Sequence, residues 1–180
     1  MAFLSEAQLQ RYAVDPKMAS AAAVRTKRAS REAQLSVFLS HSHQDATLVR
    51  GLINYLASES VSIYVDWNDS SMPRVTGRDT ANRIKVKIRE SKLFVVLATV
   101  NALSSRWVPW ETGVADQVKS TDAMLVVPVA DPSGQFQGNE YLQLYRRLVV
   151  ADDGRIAIFE PGSTSGGVLT ESFLRKAAIL

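Results

Sequence analysis

Two periods alternate along the chain. Leu93-Phe94-Val95-Val96-Leu97-Ala98 is its most apolar run, and a strand hydrophobic on both faces is one buried inside a parallel sheet. Leu35–Ser40 and Val61–Trp67 are shorter runs, β-branched and aromatic with polar ends, and predict two further strands. Ala123–Ala130 predicts a fourth, with Pro128 marking its end or a sheet edge, and Arg155–Phe159 a fifth. Between these runs the apolar positions recur at helical spacing. Leu48, Val49, Leu52, Ile53 and Leu56 form one stripe, for which Asp45 is the expected N-cap. Ala81, Ile84 and Ile88 form another, over Ala81–Glu90, capped by Asp79 or Thr80, with Arg83, Lys85, Lys87 and Arg89 as a solvated face. Trp107, Trp110, Val114 and Val118 form a third, opened by the serines before Pro109.

Glu140–Leu148 predicts a short helix and Val168–Leu180 a terminal one anchored by Phe173 and Leu174. Thr99–Arg106, Asn68–Arg78, Asp131–Asn139 and Pro161–Gly167 carry turn formers and read as loops. Residues 1–34 form a helical N-terminal extension, with Ala19–Val24 its strongest helix former, followed by a domain over 35–160 and a connector and helix over 161–180.

Strands alternating with helices imply an α/β fold with a parallel sheet and right-handed crossovers. Five strands suggest the flavodoxin-like order 2-1-3-4-5. In that order the loops after the first and third strands part toward opposite faces and open a crevice at the carboxyl ends of the strands. The topology then brings together four separated stretches: the Ser40–Gln44 turn, Asp66 and Trp67, the Thr99–Trp107 segment, and Glu111.

Composition narrows the chemistry. The 180 residues carry a net charge of +3, too small to imply nucleic acid, and contain no cysteine, which excludes disulfides, thiolate metal sites and thiol nucleophiles. No run reaches the ~20 apolar residues that span a bilayer, and the N-terminus is not a secretory signal, so a cytoplasmic protein without membrane contact is expected. His41 and His43 are the only histidines; two loop imidazoles fall short of the three or four ligands of a metal site, and no metal is expected.

Glu111 is the acid that stands out. It lies one turn beyond Trp107 near a helix N-terminus, where the partial positive charge favours a carboxylate. Such a group can steady a developing cation, or it can be an ordinary first-turn glutamate. The Ser40–His43 turn offers backbone amides, hydroxyls and imidazoles at another helix start, an arrangement that holds phosphates or simply caps the helix.

Three pieces together, Val37-Phe38-Leu39-Ser40-His41-Ser42 with Asp45, Ile63-Tyr64-Val65-Asp66-Trp67, and Ser105-Arg106-Trp107-Val108-Pro109-Trp110-Glu111, resemble the Toll/interleukin-1 receptor (TIR) domains. The resemblance is strongest to the small bacterial TIR-like proteins of Thoeris-type antiphage defence. The last piece in that family reads serine, any residue, tryptophan, cysteine, two residues, glutamate; Val108 stands where the cysteine would be, and the glutamate keeps its spacing.

The resemblance implies cleavage of the nicotinamide–ribose bond of NAD, giving nicotinamide and either ADP-ribose or a cyclic ADP-ribose isomer, with NAD as substrate and no cofactor. It makes Glu111 the catalytic residue and Ser40, His41, Ser42, His43, Asp66, Trp67 and Trp107 the substrate-binding ones. It further implies self-association through the Asn68–Thr80 loop and a separate effector that responds to a nucleotide product. Two alternatives stay open: a non-catalytic TIR interaction module, and a nucleoside deoxyribosyltransferase, which shares the sheet order and a working glutamate.

Overall fold

The computed structural model describes residues 1–15, 36–58, 64–65, 77–136 and 138–179. Its centre is β4 (Leu93–Ala98), buried at every position as its composition requires. On one side β4 pairs in parallel with β2 (Ser36–Ser40), which in turn pairs with β3 (Tyr64–Val65). On the other side it pairs in parallel with β5 (Met124–Ala130), and β5 with β6 (Arg146–Val150). The order β3-β2-β4-β5-β6 is the doubly wound order expected from the alternation of elements, so the α/β reading holds.

The sheet is larger than five parallel strands. The fifth position belongs to Arg146–Val150 and not to Arg155–Phe159. β7 (Ile156–Phe159) returns antiparallel to β6, and β8 (Val168–Leu169) lies antiparallel on β7. The helix expected over Glu140–Leu148 is a 3-10 turn, Glu140–Leu144, that stops where β6 starts. Arg146 and Arg147 hide this strand from a hydrophobic reading. Pro128 is at neither an edge nor the last residue: β5 has β4 on one flank and β6 with β1 (Leu4–Ser5) on the other.

Successive strand residues point to opposite faces, so the core is two layers. Val37, Leu39, Val95, Leu97, Leu125 and Val127 face α1 (Glu6–Val14), α2 (Ala46–Ser58) and α6 (Thr170–Ile179). Phe38, Phe94, Val96, Met124 and Val126 face α3 (Arg78–Glu90), α4 (Val100–Ser104) and α5 (Trp107–Val118). Phe38 and Phe94 stack with ring centroids 5.5 Å apart. The alternation in Leu93–Ala98 is thus what feeds both layers at once.

The N-terminal residues are part of this architecture. β1 pairs in parallel with the end of β5, Leu4 beside Val129. Ser5 caps α1 through a reciprocal box in which its hydroxyl accepts from the Gln8 amide at 3.2 Å and its own amide donates to Gln8 Oε1 at 2.9 Å. α1 then crosses α2 at Gly51, where a Cβ would stand 1.9 Å from the Leu9 carbonyl oxygen. Asn54 Nδ2 donates to the carbonyl of Tyr12 at 2.9 Å. Ala19–Val24 falls outside the described residues, as do Asp66, Trp67 and most of the Asn68–Thr80 loop, of which Arg78–Thr80 open α3.

Several boundaries differ from the expected ones for identifiable reasons. Gly77 occupies the N-cap of α3 without a side-chain bond, so neither Asp79 nor Thr80 caps it, and Thr80 is buried in the first turn. Thr99 caps a short helix, α4, inside what read as a loop. At the C-terminus Val168 and Leu169 pair with β7 before the helix begins.

Candidate active site

β2 ends on Ser40, and its pairing with β4 sets Ser40 beside Val96. The chain then turns through His41 and Ser42 into a 3-10 turn, His43–Asp45, before α2. Ser42 is the cap of that turn, accepting from the Gln44 amide at 3.4 Å. Asp45, expected to cap α2, does not. It is buried and turned across the crevice, where it accepts hydrogen bonds from Thr99 Oγ1 at 2.5 Å and Asn101 Nδ2 at 2.8 Å. Thr99 and Asn101 were not singled out in the sequence; an isolated Thr closing an apolar strand is the signal that could have pointed to a cap there.

α5 starts where the serines and proline place it. Ser105 Oγ accepts from the Trp107 amide at 3.1 Å and from the Val108 amide at 3.5 Å, and Pro109, which has no N–H, sits in the first turn, where none is required. The buried face of α5 is Val108, Glu111, Thr112 and Ala115. Trp107, Trp110 and Val114 are half-buried at its flank and Val118 is exposed, so the inner stripe is one position on from the one that the large apolar residues suggest. The positions turned onto the sheet are Val108, Glu111, Thr112 and Ala115, and both tryptophans pack at the margin of the same cluster. Val108 is fully buried, so the position where the resemblance expects a cysteine is a core position.

That inner face carries Glu111 to 5% exposure. Ser40 Oγ donates to Glu111 Oε2 at 2.5 Å. A carboxylate removed from water is costly unless charge-assisted hydrogen bonds replace its hydration, and the strand-end serine supplies one. Trp107 packs edge-on to Trp110 with ring centroids 5.2 Å apart, and Lys85 Nζ lies 5.8 Å above the Trp110 ring. Both tryptophans thus pack at the margin of the core, one against the other, with Trp110 also under a cation.

His41 is half-buried, and its Nδ1 faces the Leu39 carbonyl at 2.8 Å. A carbonyl only accepts, so Nδ1 carries a proton, and the acceptor of the neutral form of this ring is Nε2. His43 is exposed. The structure thus joins Ser40 to Glu111 at the carboxyl end of β2, with His41 and Ser42 next in the turn and Trp107 one helical turn before Glu111; Asp66 and Trp67 lie outside the described residues. A cavity of about 310 Å³ lined by Phe3, Phe136, Leu142, Tyr145 and Arg147 contains none of these groups.

Comparison with known proteins agrees with this fold. The family model described as the TIR domain matches residues 37–155. Over 111 residues the chain is 35% identical to a protein of Bacillus cereus (strain MSX-D12) named probable 3' cyclic ADP-D-ribose synthase ThsB', covering 61% of this chain and 58% of that protein. Over 88 residues it is 32% identical to a Cytobacillus dafuensis protein whose name provisionally assigns it as a cyclic ADP-D-ribose synthase, TIR2, covering 47% of this chain and 23% of that protein. The chain thus spans less than two thirds of the length of either relative.

Proposed function

The chain belongs to the TIR domain family, and from that premise we propose that it cleaves the nicotinamide–ribose bond of NAD and closes the ADP-ribose product into a cyclic isomer. One observation carries the proposal: a glutamate buried to 5% exposure, held by a strand-end hydroxyl at the crevice where β2 and β4 end. The names of the two relatives support the cyclic product.

The chemistry follows from the charge. As the glycosidic bond breaks, its electron pair leaves with nicotinamide and the ribose becomes an oxocarbenium-like cation. The carboxylate of Glu111, hydrogen-bonded to ribose hydroxyls, lowers the energy of that cation as it forms. A hydroxyl of the same molecule then attacks the anomeric carbon and loses its proton, which gives the cyclic product; water attacking instead gives ADP-ribose. His41 Nε2, the acceptor of the neutral ring, is suited to a ribose hydroxyl, and Trp107 to stacking on a ring. Ser42, His43, Asp66 and Trp67 complete the proposed substrate contacts. The reaction requires no metal and no cofactor.

We extend the proposal to a cytoplasmic signalling role of the antiphage kind, with self-association through the Asn68–Thr80 loop and a separate effector that reads the product. No helix among the described residues is long and apolar enough to cross a membrane.

The test is nicotinamide release from NAD by the purified protein over a wide concentration range, beside Glu111→Gln, with melting curves to establish that both are folded. Loss of an electrostatic group of this kind slows turnover ~100-fold or more. Chromatography of the ADP-ribose species separates cyclase from hydrolase. A folded Glu111→Gln protein within about threefold of the wild type would overturn the assignment.

A further inference from the structure

Asp45 is an acid at 1% exposure whose carboxylate makes no hydrogen bond within its own turn among the described residues. Both of its donors belong to the segment that leaves β4. Thr99, also 1% exposed, gives its one hydroxyl proton to Asp45 and keeps a lone pair for the Ala102 amide at 2.9 Å, the bond that starts α4. Asn101, inside α4, supplies the second donor. The acid therefore joins the turn that follows β2 to the helix that follows β4, and through that helix to Ser105 and the first turn of α5.

We propose that Asp45 is a positioning residue for the glutamate site, a latch that fixes α4 and the start of α5 against the Ser40 turn. This rests on the NAD-cleaving reading above. Among the described residues, hydrogen bonds tie the path from Thr99 to Glu111 to the β2 end at both of its ends: Asp45 to Thr99 and Asn101, and Ser40 to Glu111. Ser40 acts on the Glu111 end of that path, and Asp45 fixes α4 at its other end, so that the first turn of α5 starts from one position. Buried polar groups of this kind select a single arrangement when every donor and acceptor is matched. Misplacing a reacting group by ~1 Å costs up to ~100-fold in rate, so the latch acts on turnover without touching substrate.

The test is steady-state nicotinamide release by Asp45→Ala, Asp45→Asn and the Asp45→Ala/Ser40→Ala double variant, together with amide hydrogen exchange over residues 99–108. Asp45→Ala should lower kcat ~10- to 100-fold with KM within about threefold. Asp45→Asn should recover most of the loss, because its oxygen can still accept from Thr99 Oγ1 while its amide donates to Asn101 Oδ1 once that side-chain amide turns over. The double variant should be no more than about twofold slower than Ser40→Ala alone, since both changes release the same path. Exchange at 99–108 should rise in Asp45→Ala while β4 and β5 keep their protection. An unchanged kcat, full additivity with Ser40→Ala, or unchanged exchange at 99–108 each overturns the latch. Should the wild type release no nicotinamide, it is the NAD reading that fails; local loosening in the exchange measurement then sustains the latch, and uniform protection overturns it.

Discussion

Ser40 and Glu111 are 71 positions apart in the chain, and the hydroxyl of the first donates to Oε2 of the second at 2.5 Å. With Glu111 buried, this bond decides which way one carboxylate oxygen faces. Ser40→Ala removes this donor from a buried carboxylate. A hydrogen bond to a charged group is worth about 1.5–3 kcal/mol, so turnover should fall ~10- to 100-fold while the fold survives. Nicotinamide release measured beside a melting curve checks this; a folded variant with undiminished turnover would remove Ser40 from the site.

The sequence revealed this relationship only in outline. Leu93–Ala98 announced itself as the central strand because no polar residue interrupts it, and the strand order then placed Ser40 and Glu111 in one crevice. The bond between them was out of reach, since hydrophobic spacing along α5 favours Trp107 and Trp110 as the inner face and the buried face lies one position on. Asp45 was legible as an acid at a helix start and illegible as a crossing ligand, because its partners come from 54 and 56 positions away. β6 was missed because two arginines open it. The helical character of the N-terminal region was legible, and its docking was not, because that rests on Leu4 pairing with Val129, on the Asn54–Tyr12 bond and on Gly51 meeting the Leu9 carbonyl.

That glycine gives the second prediction. A Cβ at Gly51 would stand 1.9 Å from the Leu9 carbonyl oxygen and 2.6 Å from its carbon, and a backbone within a capped helix cannot retreat as a flexible side chain can. Gly51→Ala raises helix propensity in α2, yet should destabilise by about 1–3 kcal/mol through overpacking, which for a chain of this size lowers Tm by roughly 2–12 °C. Removing residues 1–15 should destabilise at least as much, since β1 and the Asn54–Tyr12 bond go with them. An unchanged Tm in Gly51→Ala would show that α1 does not press on α2.

Val108 offers a probe of the core next to the site. It is fully buried and the chain contains no cysteine. Val108→Cys should be tolerated within about 1 kcal/mol, because a free cysteine behaves as a small hydrophobe, and nicotinamide release should be unaffected. A disulfide-exchange reagent should label the thiol only on unfolding, when the buried position opens. Rapid labelling of the folded variant would mean that the first turn of α5 is far looser than its packing implies.

Tyr145 and Asp116 govern the response to alkali. The Tyr145 hydroxyl donates to Asp116 Oδ1 at 2.8 Å, and burial, followed by that bond and the neighbouring carboxylate charge, raises the phenol's pKa well above its usual value of 10.0. Below pH 10 the phenol is protonated whether the chain is folded or not, and its contribution to stability is constant. Above pH 10 the unfolded chain releases the proton and the folded one keeps it, so stability falls by up to about 1.4 kcal/mol per pH unit. Lys119 works in the opposite direction, because burial lowers its pKa from 10.5 and favours its neutral form in the fold; its effect is common to both proteins and cancels in a comparison. Tyr145→Phe should therefore be less stable than the wild type by about 1 kcal/mol at pH 8, through the lost bond, and the gap should close or reverse by about pH 11. Urea unfolding of both proteins at the two pH values decides it, and a gap of the same size at both would mean that Tyr145 ionises as readily in the fold as outside it.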